Sequence, residues 1–255
     1  MRALDAARDY VARKWNPIPV PHKSKGPTGN EWQKLLITEE NVTEHFNSGL
    51  QNIGVQLGAK SRGLTDVDLD CAEAMKLAPE FLPKTDSVFG RASKPRSHFL
   101  YYIEDPENRA SMKLTGVGDD SIVELRMGGG NKGAQSIFPG STHESGEEIS
   151  WSAAGEPAQS NFATLKTAIT KIAVGVILMR SWPAKGSRHD AALALGGFLA
   201  RAGWDVNDIG NFVEAIARHA GSDDPAARSK DAVDAAEVIV FASHLLRIVD
   251  RLCPP

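Results

Sequence analysis

The chain has 255 residues, a formal net charge of −3 and an apolar fraction of 42%. These values indicate one large or two small globular domains with a real core, and they exclude the global basic character of many nucleic-acid binders. A local basic groove remains compatible with them.

The two cysteines, Cys71 and Cys253, lie far apart in the sequence. They provide neither a disulfide framework nor a paired metal-ligand spacing, so we expect a reducing, cytoplasmic environment. The first residues have no apolar signal-peptide core, and the longest apolar run, residues 172–179, is too short to span a bilayer. We therefore expect no membrane partner.

Hydrophobic periodicity divides the chain into an α/β part and a helical part. A helix is predicted over residues 3–14, and a strand over 52–57 is expected to form a hairpin with the strand that follows, through Gly58 and Gly63. Further strands are predicted at residues 87–90, 97–103, 121–127, 134–138 and 148–151. Helical period dominates from about residue 160, at residues 163–179, 190–201, 206–219 and 230–252.

The strand after that turn is unusually acidic. Asp66, Asp68 and Asp70 alternate with Val67 and Leu69, which would place all three carboxylates on one face of a strand. Like charges at this spacing repel each other, and a divalent cation offsets the repulsion, because carboxylate oxygens are preferred ligands of Mg²⁺ and Mn²⁺. The pattern favours a metal site; an acidic strand end that faces solvent is the alternative.

Two later strands carry side chains that could complete such a site. His98 follows Arg96 and Ser97, and cations beside a histidine favour an anion such as a triphosphate. Glu124, between Val123 and Leu125, would add a third carboxylate. A structural histidine and a solvent-facing glutamate on an edge strand are the alternatives.

A glycine-rich turn at residues 128–133 forms the last candidate element, because glycines let a backbone approach a phosphate closely. The spacing of a P-loop is absent, so the turn alone is a weak signal. The candidate phosphate or nucleotide contacts in and after it are Lys132, Gln135, Ser141 and His143.

These pieces, in this order, resemble the bifunctional DNA primase/polymerase (prim-pol) domains of the archaeo-eukaryotic primase superfamily. The similarity covers residues 1–152. It rests on the acidic strand as an Asp-x-Asp motif, on residues 96–102 as a Ser-x-His-type motif, and on Val123-Glu124 as the third acidic motif. It also rests on the Pro-Gly-Ser-Thr-His-Glu-Ser-Gly turn at 139–146. Residues 186–204 resemble the helical domain that follows prim-pol in such proteins.

The resemblance implies an α+β fold: an RRM-like catalytic core of mostly antiparallel sheet flanked by helices over residues 1–158, and an all-α helical bundle over 159–255. It implies template-dependent nucleotidyl transfer by two metal ions, Mg²⁺ or Mn²⁺, in the replication of a phage, plasmid or mobile element. The implied partners are a single-stranded DNA template, a primer and nucleoside triphosphates, with a replicative helicase as a further candidate.

The resemblance also assigns the site residues. Two Asp-x-Asp frames are open, and the family motif favours Asp68 and Asp70, with Glu124, as metal ligands and Asp66 as their support. The expected catalytic residues are these three ligands and His98. Expected nucleotide contacts are Arg96, Ser97, His98, Lys132, Gln135, Ser141 and His143. Two other functions are weighed against this one: a glycosyltransferase that holds a nucleotide-sugar with an Asp-x-Asp motif, and a non-catalytic DNA-binding replication module.

Overall fold

A computed structural model describes residues 2–29, 31–47, 49–104, 109–129 and 133–252. The fold is α+β, as predicted: antiparallel sheets are followed by a helical region. The chain divides into two compact units, Met1–Ala173 and Val174–Pro255. The predicted boundary between residues 158 and 159 stays a prediction.

The described residues of the first unit form two sheets, three α-helices and the start of a fourth helix. The three α-helices are α1 (Ala3–Ala12), α2 (Val42–His45) and α3 (Ala72–Phe81). Its strands are β1 (Asn16–Pro21), β2 (Gln51–Gln56), β3 (Leu64–Leu69), β4 (Ser87–Arg91), β5 (Lys94–Ile103), β6 (Met112–Thr115), β7 (Ser121–Arg126), β8 (Gln135–Ile137), β9 (Ser150–Ala154) and β10 (Ala158–Ser160).

The smaller sheet has the order β1-β2-β8, and the larger has the order β6-β7-β3-β5-β4-β9, with β10 added in parallel to β5. The predicted hairpin between β2 and β3 is wrong, because the two strands belong to different sheets. Gly58 and Gly63, with φ of 82° and 80°, instead turn the chain from one sheet to the other. A Cβ on Gly63 would lie 2.2 Å from the Ile103 carbonyl oxygen, so this position requires glycine.

Aromatic side chains fill the core of the first unit. Tyr10 and Trp15 stack with ring centroids 5.6 Å apart, and Phe138 and Trp151 meet Tyr10 edge-on. The polar atoms of this cluster are satisfied, because the Tyr10 hydroxyl donates to the Pro139 carbonyl at 2.7 Å. The cluster packs α1 against Trp151 of β9, a strand of the larger sheet that also contains the acidic strand.

The second unit is helical. The helices of this part of the chain are α4 (Phe162–Arg180), in which the division between the units falls, α5 (Arg188–Arg201), α6 (Val206–His219) and α7 (Pro225–Leu252). Asp205 caps α6, since its side chain accepts hydrogen bonds from the backbone amides of Asn207 and Asp208. Gly196 allows α5 to approach α7, because a Cβ there would lie 2.1 Å from the Ala232 carbonyl oxygen.

Helix α4 has the length and apolar composition of a membrane span, the one such helix in the described part of the chain. A core helix has the same properties, and Leu165, Ile169 and Ile172 of α4 are fully buried. Length and composition do not separate the two cases, so the absence of a membrane partner stays a prediction.

Candidate active site

The acidic strand β3 lies inside the larger sheet, between β5 and β7. Asp68 pairs in register with His98 of β5 on one side and with Glu124 of β7 on the other, and Asp66 pairs with Arg126. Side chains of paired residues share one face of a sheet, and residues two apart on a strand share it too. The sheet therefore brings these five side chains together, although they come from three separate segments.

Asp66 is fully buried and its carboxylate has close partners. Its two oxygens lie 3.0 and 3.3 Å from His98 Nδ1, and the Ser136 hydroxyl donates to it at 2.6 Å. Burial alone would raise the pKa of Asp66, but the charge and hydrogen bond of His98, with Arg126 and Ser136, lower it overall. Asp66 is thus a buried anion that holds the imidazole.

His98 is fixed on a second side by an aromatic ring. The Phe89 ring stacks on the imidazole with centroids 4.4 Å apart and planes 7° apart. An ionised carboxylate can only accept hydrogen bonds, so Nδ1 of His98 donates its hydrogen to Asp66. The other ring nitrogen, Nε2, lies 3.6 Å from Asp68 Oδ1. Burial lowers the pKa of His98, but Asp68 and Asp66 raise it more, so the imidazolium is favoured.

Arg126 is a central residue of the site that the sequence analysis did not identify. Its guanidinium lies 2.7 Å from Asp68 Oδ2 and 3.0 Å from Glu124 Oε2. Burial would lower the pKa of Arg126, but Asp68, Asp66 and Glu124 raise it. Arg126 follows Glu124 by two residues on the same strand, which was the available signal that both side chains share a face.

The pKa of Asp68 is shifted in opposite directions by burial and by the neighbouring cations. Burial raises its pKa, and this outweighs the lowering by His98 and Arg126. Its side chain is 11% exposed, so it reaches the surface of a cavity, whereas Asp66 does not.

Asp70 lies one residue beyond the end of β3, next to the start of α3. Its backbone amide donates to the Ile122 carbonyl at 2.9 Å, and the Ser121 hydroxyl donates to its carboxylate. Lys94 Nζ donates to the Asp70 carbonyl oxygen at 2.7 Å. These contacts attach Asp70 to both neighbouring strands, and Asp70 lines the same cavity as Asp68.

A cavity of about 400 Å³ opens over this face. Its charged or polar lining includes Asp68, Asp70, His98, Ser97 and Arg126, together with Lys25, Arg91, Lys94, Thr142, His143 and Glu144. The basic side chains come from the loop after β1 and from either side of the β4–β5 turn. Carboxylates and cations therefore face one open cavity, which suits a ligand that carries phosphates and a metal.

The 139–149 segment holds the basic walls in place. Lys25 Nζ lies 2.7 Å from Glu144, and Glu147 accepts hydrogen bonds from Arg91 and from the backbone and side chain of Ser93. The hydrogen bonds from Ser93, followed by those from Ser145 and Arg91, lower the pKa of Glu147 to about 2. Glu147 is therefore ionised at neutral pH and fixes the β4–β5 turn.

A family model for the N-terminal domain of bifunctional DNA primase/polymerases, Prim-Pol, matches residues 7–162, more than half of the chain. The chain belongs to the Prim-Pol family. This confirms the resemblance predicted from the sequence, and it indicates DNA primase/polymerase activity and a role in DNA replication, with DNA and nucleotides as substrates. A search of curated proteins gives no match. The match contains every strand described above, and α5–α7 lie outside it.

The Prim-Pol cavity includes some of the predicted nucleotide contacts. Ser97, His98 and His143 line it. Burial and then the nearby charge of Arg91 lower the pKa of His143, so the neutral imidazole is favoured there. Its Nδ1 lies 2.9 Å from the Ser145 hydroxyl.

Other predicted contacts of the Prim-Pol domain lie elsewhere. Arg96 is exposed, with a left-handed φ of 56°, and its guanidinium lies over Phe99, 5.8 Å from the ring centroid. Gln135 Nε2 donates to the Lys25 carbonyl at 2.8 Å, and the Ser141 hydroxyl accepts from the Ile53 amide at 2.8 Å. Gln135 and Ser141 thus position backbone around the cavity. Lys132 lies outside the described residues.

The predicted metal ligands of the Prim-Pol domain are near one another but are not arranged as a formed site. Among the residues that the structure describes, no group of three or more His, Cys, Asp or Glu side chains is placed to hold a metal. The oxygen donors of Asp68, Asp70 and Glu124 fit a hard cation in kind. What separates this arrangement from a formed metal site is the Arg126 guanidinium, which is bound to two of the three carboxylates.

Proposed function

We propose that this chain is a DNA primase-polymerase that transfers a nucleotidyl group from a (d)NTP to a primer or an initiating nucleotide on a single-stranded template. The observation that carries the proposal is the three-strand row His98–Asp68–Glu124, of which His98 and Asp68 line a cavity with basic walls. The volume of the cavity lies within the range of small-molecule sites. Replication of a phage, plasmid or mobile element is the context that we propose.

Asp68, Asp70 and Glu124 would hold Mg²⁺ or Mn²⁺ for this reaction. The cations would polarise the attacking hydroxyl and neutralise the charge of the phosphates. Asp66 is unsuited to direct coordination, because its carboxylate is fully buried and bonded to His98 and Ser136. Its part in the proposal is to orient His98.

Basic side chains of the cavity would bind the triphosphate. Lys25, Arg91 and Lys94 supply fixed positive charge, and His98 supplies an N–H that the Asp66 carboxylate and the Phe89 ring keep in one orientation. Preorganised donors of this kind stabilise charge on transferred phosphates without reorganisation during the reaction. This assignment replaces Arg96 with Lys94 and Arg91 as the cations beside the nucleotide.

The test is template-dependent synthesis with a single-stranded template, labelled nucleotides and Mn²⁺ or Mg²⁺. The parent chain should make primers or extension products, and Asp68→Asn with Asp70→Asn should reduce synthesis on the order of 1,000-fold. Asp9→Asn is the matched control, because Asp9 is an exposed partner of Arg13 on α1. Thermal melting should show that both variants are folded.

Synthesis by the double variant at the parent's rate would contradict the site assignment. A parent chain that binds single-stranded DNA but makes no product would favour the non-catalytic DNA-binding module instead. Nucleotide-sugar turnover without DNA synthesis would favour a glycosyltransferase.

A further inference from the structure

Arg126 uses one guanidinium to hold two of the three carboxylates proposed as metal ligands. Nη2 lies 2.7 Å from Asp68 Oδ2, and Nε lies 3.0 Å from Glu124 Oε2. The Arg126 side chain is 28% exposed and lines the cavity, whereas the Asp68 side chain is 11% exposed. The guanidinium therefore lies beside Asp68 at the cavity surface and joins it to Glu124, whose side chain is 26% exposed.

The charges of the site explain why a cation is required at this place. Asp66, Asp68 and Glu124 lie on one face within two rows of the sheet, and His98 and Arg126 are the cations directly bonded to them. Without Arg126, Asp68 and Glu124 would be adjacent partly buried carboxylates that repel each other. Arg126 thus performs, within the protein alone, the charge compensation that a divalent cation would provide.

A divalent cation and Arg126 compete for the negative charge of these two carboxylates. Coordination to Asp68 and Glu124 would place a charge of +2 beside a fully charged guanidinium, and the two would repel. An arginine side chain is long, and its planar guanidinium can form bidentate hydrogen bonds with a phosphate. The cavity that Arg126 lines is the space where we place the triphosphate.

We propose that Arg126 is an exchanging counter-ion: it holds Asp68 and Glu124 before metal binds, and it moves to the nucleotide phosphates when the metal takes these carboxylates. This inference rests on the proposed function and deepens it, because it makes Arg126 a positioning residue that couples metal binding to nucleotide binding. By linkage, the competition with the metal and the contact with the nucleotide must each appear as a change in affinity.

The first experiment measures binding of Mn²⁺ alone to the full chain, by the loss of the electron paramagnetic resonance signal of free Mn²⁺. Arg126→Gln should bind Mn²⁺ on the order of 10-fold more tightly than the parent, because the metal no longer displaces a partly buried ion pair. Arg126→Lys, which keeps the charge but loses the fork, should fall between the two. An arginine with a purely structural role predicts the opposite result, a weaker metal site.

Lys113→Gln is the matched control, because Lys113 pairs with Glu124 in register from the neighbouring strand β6. It removes one positive charge near the site and leaves the Arg126 ion pairs in place. Equal tightening in Lys113→Gln and Arg126→Gln would overturn the inference, since the effect would then be a general one of charge. Unchanged or weaker Mn²⁺ binding by both Arg126 variants would overturn it as well.

The second experiment measures binding of a deoxynucleoside triphosphate at saturating Mn²⁺ without template. Arg126→Gln should bind it on the order of 10-fold more weakly, because one charge-assisted phosphate contact is lost. Unchanged affinity would overturn the exchange. The double variant Asp68→Asn with Asp70→Asn separates the two proposals. If it binds Mn²⁺ as tightly as the parent does, the proposed metal site is wrong. If it loses Mn²⁺ binding while the Arg126 variants bind Mn²⁺ and nucleotide as the parent does, only the exchange is refuted.

Discussion

Asp66→Asn tests whether a buried charge holds the histidine of the site. The substitution keeps the shape of the side chain and an oxygen that can accept from Ser136, but it removes the charge that lies 3.0 Å from His98 Nδ1. Hydrogen bonds to charged groups contribute about 1.5–3 kcal/mol, so we expect a loss of about 2 kcal/mol. For a unit that spans Met1–Ala173 this corresponds to a melting temperature lower by about 4–8 °C.

The effect should depend on pH in a defined direction. The pKa of His98 is raised in the folded chain, so its stabilising contribution is complete below its unfolded pKa of about 6.5 and is lost as pH rises through the folded pKa. The pKa of Asp66 is lowered, so its contribution is lost only in acid, well below this window. The difference between parent and Asp66→Asn should therefore be largest near about pH 6 and should decrease as the pH rises through the folded pKa of His98.

Thermal and urea denaturation in a metal-free buffer with chelator measures this difference. Asp9→Asn again serves as control, because its exposed pair with Arg13 contributes at most about 0.5 kcal/mol. A loss that stays the same across a pH series carried through the titration of His98, followed by NMR, would refute the role of the imidazolium. Unchanged stability of Asp66→Asn at about pH 6 would refute the claim that the Asp66–His98 ion pair stabilises the fold.

Two further predictions concern positions away from the charged face. Tyr10→Phe should lower the free energy of unfolding by about 1 kcal/mol in urea denaturation, because the Pro139 carbonyl loses its buried donor; an unchanged value would mean that water replaces the hydroxyl. Asp205→Ala should lower helix stability in the second unit by about 1 kcal/mol, seen as faster amide hydrogen exchange at the start of α6, whereas Asp205→Ser should retain most of the cap.

Local patterns predicted the elements of this chain better than their pairing. Helix α6 occupies the residues over which helical period was expected, and the acidic strand was correctly identified as a strand. The hairpin of β2 and β3 was wrong, and β6 was missed, because the choice between strand partners depends on residues far along the chain. A turn with two glycines fits both a hairpin and a change of sheet.

The site was predictable only in part, because local sequence patterns identify individual residues but not their partners in the sheet. Alternation and motif order drew attention to Asp68, His98 and Glu124, which the sheet brings into one row. The role of Ser136 as a partner of Asp66 had no sequence signal, since the two are 70 residues apart. Arg96 has a left-handed φ at the start of β5 and lies over Phe99, a local geometry that strand alternation alone did not predict; its role as a nucleotide contact stays a prediction.

The central position of β3 also has a consequence for how the chain folds. Both neighbours of β3 come later in the sequence: β5 begins at Lys94 and β7 at Ser121. Pairings of such sequence separation require closure of long loops, which slows folding. The carboxylates of β3 gain their compensating cations from these same two strands, so early intermediates would have a repulsive, highly hydrated strand. That charge would keep β3 from pairing with other chains before its own partners arrive.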